Sequence, residues 1–202
     1  MDLYIRPLSV NDLDRCVAVE AAAFPPAEAA TREKARLFAR KGKSSPESVI
    51  RQGITPVYSP SETSSRDELI AHTISTKSVS SVVTDEDMAV PSAWKTNPTG
   101  IYGVGHRPEG RTITLHSLAV APHFQKSGYG KTLMAYYIKH MMQTAQAERI
   151  SILTYDRLVS YYEKLGFTHY GKSQSEYAGV AWHDLVWSLK GNHTSFLLTF
   201  SM

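Results

Sequence analysis

A strand that must stop at a proline, turn through two glycines and leave as a helix allows few folds. Residues 112–147 form such a stretch. Thr112 to Val120 is β-branched and apolar with partial alternation, as suits a buried strand. Pro122 ends it, because proline cannot donate to a ladder. Lys131 to Ala147 lacks Gly and Pro and is rich in Leu, Met, Ala and Lys, which predicts a helix. Gly128 and Gly130 fall where that helix begins. There the first backbone N–H groups have no intrahelical partner, and the positive end of the dipole faces outward. Glycine lets an anion approach the backbone closely. The segment Gln125, Lys126, Ser127, Gly128, Tyr129, Gly130 and Lys131 therefore reads as a phosphate or pyrophosphate cradle, with two lysines adding charge.

A P-loop would need Gly, four residues, then Gly-Lys-Ser/Thr. Gly130-Lys131-Thr132 fits the end, but Gln125 stands at the first position. No apolar strand ending in Asp offers itself for magnesium. The plainer alternative is a strand–turn–helix corner whose glycines serve packing alone.

The rest of the composition narrows the class. A chain of 202 residues can bury one full core. No apolar run is long enough to span a membrane, and Met1 to Arg6 lacks the shape of a signal peptide. The single cysteine, Cys16, excludes an internal disulfide and a cysteine-based zinc site, and it reads as a buried structural thiol. No metal is expected. Net charge is +3, with no basic run interleaved with aromatics, so nucleic acid is not an expected partner. These features predict a cytoplasmic monomer without membrane attachment. Asn192-His193-Thr194 matches a glycosylation sequon but has no signal to accompany it.

In chain order, Leu3 to Leu8 reads as a first strand. Ser9 or Asn11 could cap a helix carrying Leu13, Cys16, Val17, Val19 and residues 20–23. Phe24-Pro25-Pro26 breaks it. Thr31 starts a second helix, Arg32 to Arg40, ended by Gly42. Residues 42–67 form a polar insertion with a short strand at Ile54 to Tyr58, and Glu68 to Thr76 is a strand again. Residues 79–110 read as irregular, with Asp85-Glu86-Asp87 as a solvated turn. Arg149 to Thr154 is a buried strand and Leu158 to Leu165 a short helix closed by Gly166. Phe167 to Tyr170 and Val180 to Leu189 are the last strands, with Trp182 and Trp187 on the final one. Residues 1–190 thus read as one domain and 191–202 as a tail.

Two motifs carry a resemblance. Gln125, Gly128 and Gly130, preceded by a Leu-Ala-Val strand, fill the pattern Q/R-x-x-G-x-G/A. Tyr161 to Phe167 fills Y-x-x-x-G-F, with Tyr162 at its tyrosine. The chain resembles the GNAT superfamily of acetyl-CoA-dependent N-acetyltransferases. With Leu115-His116-Ser117-Leu118-Ala119-Val120 it is similar to the arylalkylamine N-acetyltransferase family, the group that contains serotonin N-acetyltransferase. The resemblance runs from Leu3 to Leu189 and is strongest between His116 and Phe167; Phe24-Pro25-Pro26 looks like the fungal variant of its substrate loop, whose members include some that acetylate polyamines. It implies an α/β (α+β) GNAT fold: a mixed sheet of six to seven strands flanked by about four helices, with a bulge that splays the fourth and fifth strands. The animal enzymes carry His-x-His on the central strand; here those positions are Thr114 and His116, so the first histidine is missing.

Acetyl transfer to an amine needs a group to take the ammonium proton, a donor for the carbonyl oxygen and stabilisation of the leaving thiolate. His116 is the candidate base, since imidazole titrates at about 6.5. A histidine held in the core by hydrogen bonds is the plainer reading. Tyr162 is the candidate acid, with a packed core tyrosine as its alternative. The resemblance implies that the backbone of Leu118, Ala119 and Val120 receives the pantetheine arm, that an N–H near Leu118 serves the oxyanion, and that attack is direct. It also implies an aromatic pocket from Phe24, Pro26, Leu153, Tyr177, Val180 and Trp182, for a small amine carrying a ring. A polyamine would instead want carboxylates, for which Glu28, Glu33, Asp156 and Asp184 are available. A peptide N-acetyltransferase and a non-catalytic acyl-CoA sensor remain rivals.

Overall fold

The computed structural model describes residues 4–8, 10–35, 57–59, 68–97, 102–144 and 147–189. The expected helix end at Gly42, most of the polar insertion and the tail after residue 190 lie outside them. The described elements are β1 (Tyr4–Ile5), α1 (Leu13–Ala23), β2 (Val57–Ser59), β3 (Glu68–Ser78), α2 (Asp85–Met88), β4 (Thr112–Val120), α3 (Tyr129–Thr144), β5 (Arg149–Thr154), α4 (Val159–Glu163), β6 (Thr168–Lys172) and β7 (His183–Ser188). Residues 32–35 are also helical. The seven strands form a mixed sheet, as the α/β class requires.

The chain forms two compact units, and β3, β4 and α3 each contribute to both. The first unit comprises Met1–Ser75, Ser92–Gly100 and Ser117–Tyr137. Within it β1 pairs antiparallel with β2 (Tyr4↔Tyr58, Ile5↔Val57), and β2 pairs antiparallel with β3 (Val57↔Ala71, Tyr58↔Leu69). Helix α1 presents Cys16, Val19 and Ala23 at helical spacing to Leu69 and Ala119. On the other side Leu133 of α3 packs on Ile70 and Ala71. The entry to α1 differs from expectation. A 3-10 turn over Val10–Asp12 leads into it, and Asp12, at its N-cap, makes no side-chain capping bond; Ser9 lies outside the described residues. Asp12 is buried and held by Arg6, at 2.8 and 2.9 Å from the guanidinium. Thr31 caps residues 32–35 as expected, accepting from Lys34 N at 3.2 Å.

The second unit comprises Thr76–Pro91, Ile101–His116 and Ile138–Met202. Here β4 runs parallel to β5 from Thr112↔Arg149 to Leu115↔Ile152, and β7 pairs antiparallel with both β5 and β6. Residues in register share a sheet face. One face is apolar: Ile113, Ile150 and Trp187, then Leu115, Ile152 and Leu185, none more than 6% exposed. The opposite face carries Thr114, Ser151 and Val186, then Leu153 and Asp184. Gly166, at φ 90°, ends the turn after α4; a Cβ there would meet the Trp187 indole nitrogen at 3.0 Å.

Two expectations fail in this unit. Asp85-Glu86-Asp87 is the first turn of helix α2, not a solvated turn. Thr84 and Asp87 cap it reciprocally, and three carboxylates suit the positive end of a helix. Trp182 lies one residue before the last strand, which starts at His183; its carbonyl accepts from Ser173 N at 2.9 Å and its indole N–H donates to Tyr177 O at 2.7 Å.

Candidate active site

The cradle forms where the glycines placed it. β4 ends at Val120, a 3-10 turn covers Pro122–Phe124, and α3 starts at Tyr129, two residues before the expected start. Thr132 N donates to Gly128 O at 3.0 Å, so Gly128 stands at the head of the first helical turn. Its φ is 86°, and a Cβ there would meet no heavy atom within 4 Å. Lys126 is left-handed as well, at φ 60°, which costs a non-glycine residue about 1–2 kcal/mol. Gln125 Nε2 donates back to Val120 O at 3.0 Å, tying the turn to the end of β4. Residues 125–128 are exposed, so their backbone faces solvent at the start of a 16-residue helix. An open glycine, left-handed backbone, helix N-terminus and lysines at 126 and 131 suit a polyphosphate. The residues present therefore fit the phosphate end of acetyl-CoA. Leu118 and Val120 are half-buried beside Leu133 and Phe124, while Ala119 is buried under α1.

His116 lies four residues before the end of β4. Its Nε2 is 2.7 Å from Thr76 Oγ1 on β3, and its Nδ1 is 3.1 Å from Met88 Sδ on α2. It is half-buried. The register of β4 on β5 stops at Leu115, immediately before it. Thr114 Oγ1 is buried without a hydrogen-bond partner among the described residues. Thr114 and His116 share the polar sheet face with Leu153, one of the expected pocket residues.

The contacts of β3 and β4 locate an irregularity. Alternation puts His72, Ile74 and Thr76 on one face of β3. His72 bonds Glu20, which also accepts from Ser117; Thr76 bonds His116. Consecutive residues of β4 thus turn to the same side, His116 to Thr76 of that row and Ser117 to the Glu20 carboxylate that His72 of the row also bonds. A regular strand cannot do this, so β4 carries a bulge at His116–Ser117.

Tyr162 is buried on α4, with Phe167 at 5.5 Å and Tyr161 at 5.0 Å between ring centroids, both edge-on. Burial, and secondarily the Tyr161 phenol, raise its hydroxyl above the usual tyrosine range. It is therefore a weaker acid than an exposed tyrosine and stays protonated. Trp182 is buried, stacked at a tilt on Tyr155 at 5.0 Å and bonded to the Tyr177 carbonyl; Tyr177, Val180 and Leu153 are half-exposed. In the first unit Phe24 closes α1, its N–H on Glu20 O at 3.0 Å, and its ring packs on the Cys16 cluster; Pro26 is exposed in the next turn. Among the candidate carboxylates, Glu33 is held by Trp94 Nε1 at 3.0 Å and Lys95 Nζ at 2.8 Å, which lowers its pKa. Asp156 is exposed, 3.6 Å from His183 Nε2. Asp184 is buried, and burial raises its pKa against the opposing pull of Ser173. Cys16 is pushed up to about 12 by burial and by Asp12 and Glu20, which suits an inert thiol.

Sequence reasoning missed Glu20, His72, Thr76 and Met88. Only Glu20 left a trace, as a charge in the apolar stripe of α1. Among the described residues no helix is long and apolar enough to cross a membrane, and no cluster of three His, Cys, Asp or Glu could hold a metal ion.

Comparison with known proteins agrees with this geometry. The family described as "Acetyltransferase (GNAT) domain" matches residues 51–189. Serotonin N-acetyltransferase of Mesocricetus auratus is 35% identical over 85 residues, 42% of this chain and 41% of that protein. The same enzyme of Macaca mulatta is 32% identical over 87 residues, 43% of each chain. The chain thus spans about two fifths of the length of these curated relatives. Among solved structures, the loading GNATL domain of CurA from Lyngbya majuscula superposes with a TM-score of 0.64 at 11% identity, covering 94% of this chain and 98% of that one. That identity is low enough to speak for the fold alone. A family match across two thirds of the sequence, on a fold that carries the family's glycine turn between strand and helix, places this chain in the GNAT acetyltransferase family.

Proposed function

We propose that the protein transfers the acetyl group of acetyl-CoA to a small primary amine. Arylalkylamines such as serotonin, tryptamine and phenylethylamine are the leading class, and polyamines the second. The observation that carries this is the local identity to serotonin N-acetyltransferases, together with a strand whose histidine precedes a bulge and a phosphate-type turn. Gln125, Lys126, Ser127, Gly128, Tyr129, Gly130 and Lys131 would hold the pyrophosphate, and the backbone of Leu118, Ala119 and Val120 the pantetheine arm. Acetyl-CoA supplies an activated acyl carbon and a thiolate leaving group when bound. His116 takes the proton of the substrate ammonium on a ring nitrogen, directly or through water, so that the amine has a lone pair for direct attack. The Leu118 N–H donates to the oxygen that gains charge. Tyr162 gives its proton to the departing thiolate, and the second proton that the nitrogen sheds as the amide forms returns the phenol to its neutral form, directly or through water. Phe24, Pro26, Leu153, Tyr177, Val180 and Trp182 are the aromatic and apolar groups we assign to the amine's ring. The setting we propose is a cytoplasmic monomer.

The test is a panel of tryptamine, phenylethylamine, spermidine and a peptide, assayed by CoA release. Turnover is expected on the aryl amines first. His116→Ala should lower kcat by about 10²–10⁴-fold and Tyr162→Phe by less, with thermal stabilisation by CoA kept in both. Preference for the peptide would move the substrate class to proteins, and no turnover on any amine would favour an acyl-CoA sensor.

A further inference from the structure

We propose that Glu20 is a positioning residue: its buried carboxylate pins Ser117 to the α1 side of β4 and so maintains the bulge that aims His116, a role that rests on His116 being the base. Glu20 is 1% exposed, on the apolar stripe of α1. Its Oε1 accepts from His72 Nε2 at 2.8 Å and from the Ser117 hydroxyl, and its Oε2 accepts from Ala30 N at 3.0 Å. An ionised carboxylate only accepts, so all three partners must donate. They come from β3, from β4 and from the turn after α1, and none is near Glu20 on its own helical face. The other titratable groups around the carboxylate are Cys16, one turn earlier on α1, and Lys34, buried in the helical segment 32–35.

A bulge persists only where its surroundings over-determine it. The β4 bulge turns two consecutive side chains to one face. Thr76 and Met88 hold the His116 ring. Glu20 holds the following residue, Ser117, by a charge-assisted hydrogen bond inside the protein. Without that bond β4 can return to regular alternation, and then His116 and Ser117 cannot both face the β3 row of His72 and Thr76. The same carboxylate fixes Ala30 N, so the turn carrying Phe24 and Pro26 shares its anchor with the strand.

The experiment uses the full chain with Ser117→Ala, Ser117→Thr and Glu20→Gln. The readouts are the imidazole nitrogen signals of His116 by NMR, assigned with His116→Ala, amide exchange along residues 115–118, and steady-state kinetics. Ser117→Ala should shift the His116 signals, speed exchange at these amides and lower kcat by about tenfold, with KM for acetyl-CoA changed less than about threefold. Glu20→Gln should act in the same direction and more strongly, because its amide N–H₂ opposes at least one of the three donors. Ser117→Thr, which keeps the hydroxyl, should restore the signals and kcat. If Glu20→Gln does not fold, the serine pair carries the test. Unchanged His116 signals and exchange in Ser117→Ala would overturn the proposal. Shifted signals with unchanged kcat would support the positioning role and sink His116 as the base instead.

Discussion

Two sets of buried polar side chains in this protein have opposite fates. In the first unit Glu20 gathers the donors of His72, Ser117 and Ala30 on one carboxylate. In the second, Thr114 Oγ1 and Ser151 Oγ lie on one sheet face, both buried, and neither has a hydrogen-bond partner among the described residues. A polar group with a buried partner carries structural information, because moving either one leaves the other desolvated and unmatched. A buried hydroxyl with no partner carries a cost and constrains little. The first set should therefore fix geometry, while the second should tolerate replacement by apolar groups of similar shape.

The sharpest way to break the contrast is Glu20→Ala. It strands three buried donors at once and opens a void on the α1 stripe. The expected loss is about 3–5 kcal/mol, as for a buried network robbed of its charged acceptor, read from urea unfolding. A loss below about 1 kcal/mol would mean that water replaces the carboxylate at little cost, and the hub would then be no anchor.

The hub also shows what could be read from the sequence and what could not. Strand β4, the glycine turn, helix α3 and strand β5 were legible because their signals are local: β-branched runs, a proline, two glycines and a long stretch of helix formers. Their boundaries shifted by only a few residues. Helix α2 had a local signal too, Thr84 followed by Asp87, obscured by the apparent solvation of three consecutive acids. The Glu20 contacts had none. Glu20 meets His72 across 52 positions and Ser117 across 97. The position of the bulge depends on which side chain of β4 finds that carboxylate, a contact that no local pattern in the sequence marks. At the site, His116 and the cradle were legible from motif spacing. Thr76 and Met88, which touch the histidine ring, come from β3 and from a segment read as irregular.

Charge inside the first unit gives a second, smaller effect, and its two parts have opposite sign. Burial lowers Lys34 to about 8, from a reference of 10.5. Between those values the unfolded chain holds a proton that the folded chain has released, so Lys34 makes the protein more stable as pH rises from about 8 to 10.5. Cys16 is raised to about 12 from 9.0. Its contribution is complete below pH 9.0 and is lost towards about 12, as the unfolded thiol ionises first. Each pKa unit corresponds to about 1.4 kcal/mol as an upper limit. Lys34→Met should remove the rise, and Cys16→Ala should remove part of the alkaline loss. Urea titrations at pH 7, 8.5 and 10 of the three chains would separate them; identical pH slopes would place both side chains in contact with water.

The smallest effects belong to the unpartnered row. Thr114→Val keeps the shape of a fully buried side chain and deletes a hydroxyl that bonds no group among the described residues. Ser151→Ala does the same one strand away. Deleting such a hydroxyl removes a desolvated group without stranding a partner, so the change should lie within about 1 kcal/mol and can be stabilising. Thr114→Val is the cleaner of the two, because valine is close to threonine in volume and has the same branching. If either change cost more than about 2 kcal/mol in urea unfolding, its hydroxyl would have to be bonded in solution, to water or to a neighbour that moves. The polar face beside His116 would then be as constrained as the Glu20 hub, and the distinction between the two sets would disappear.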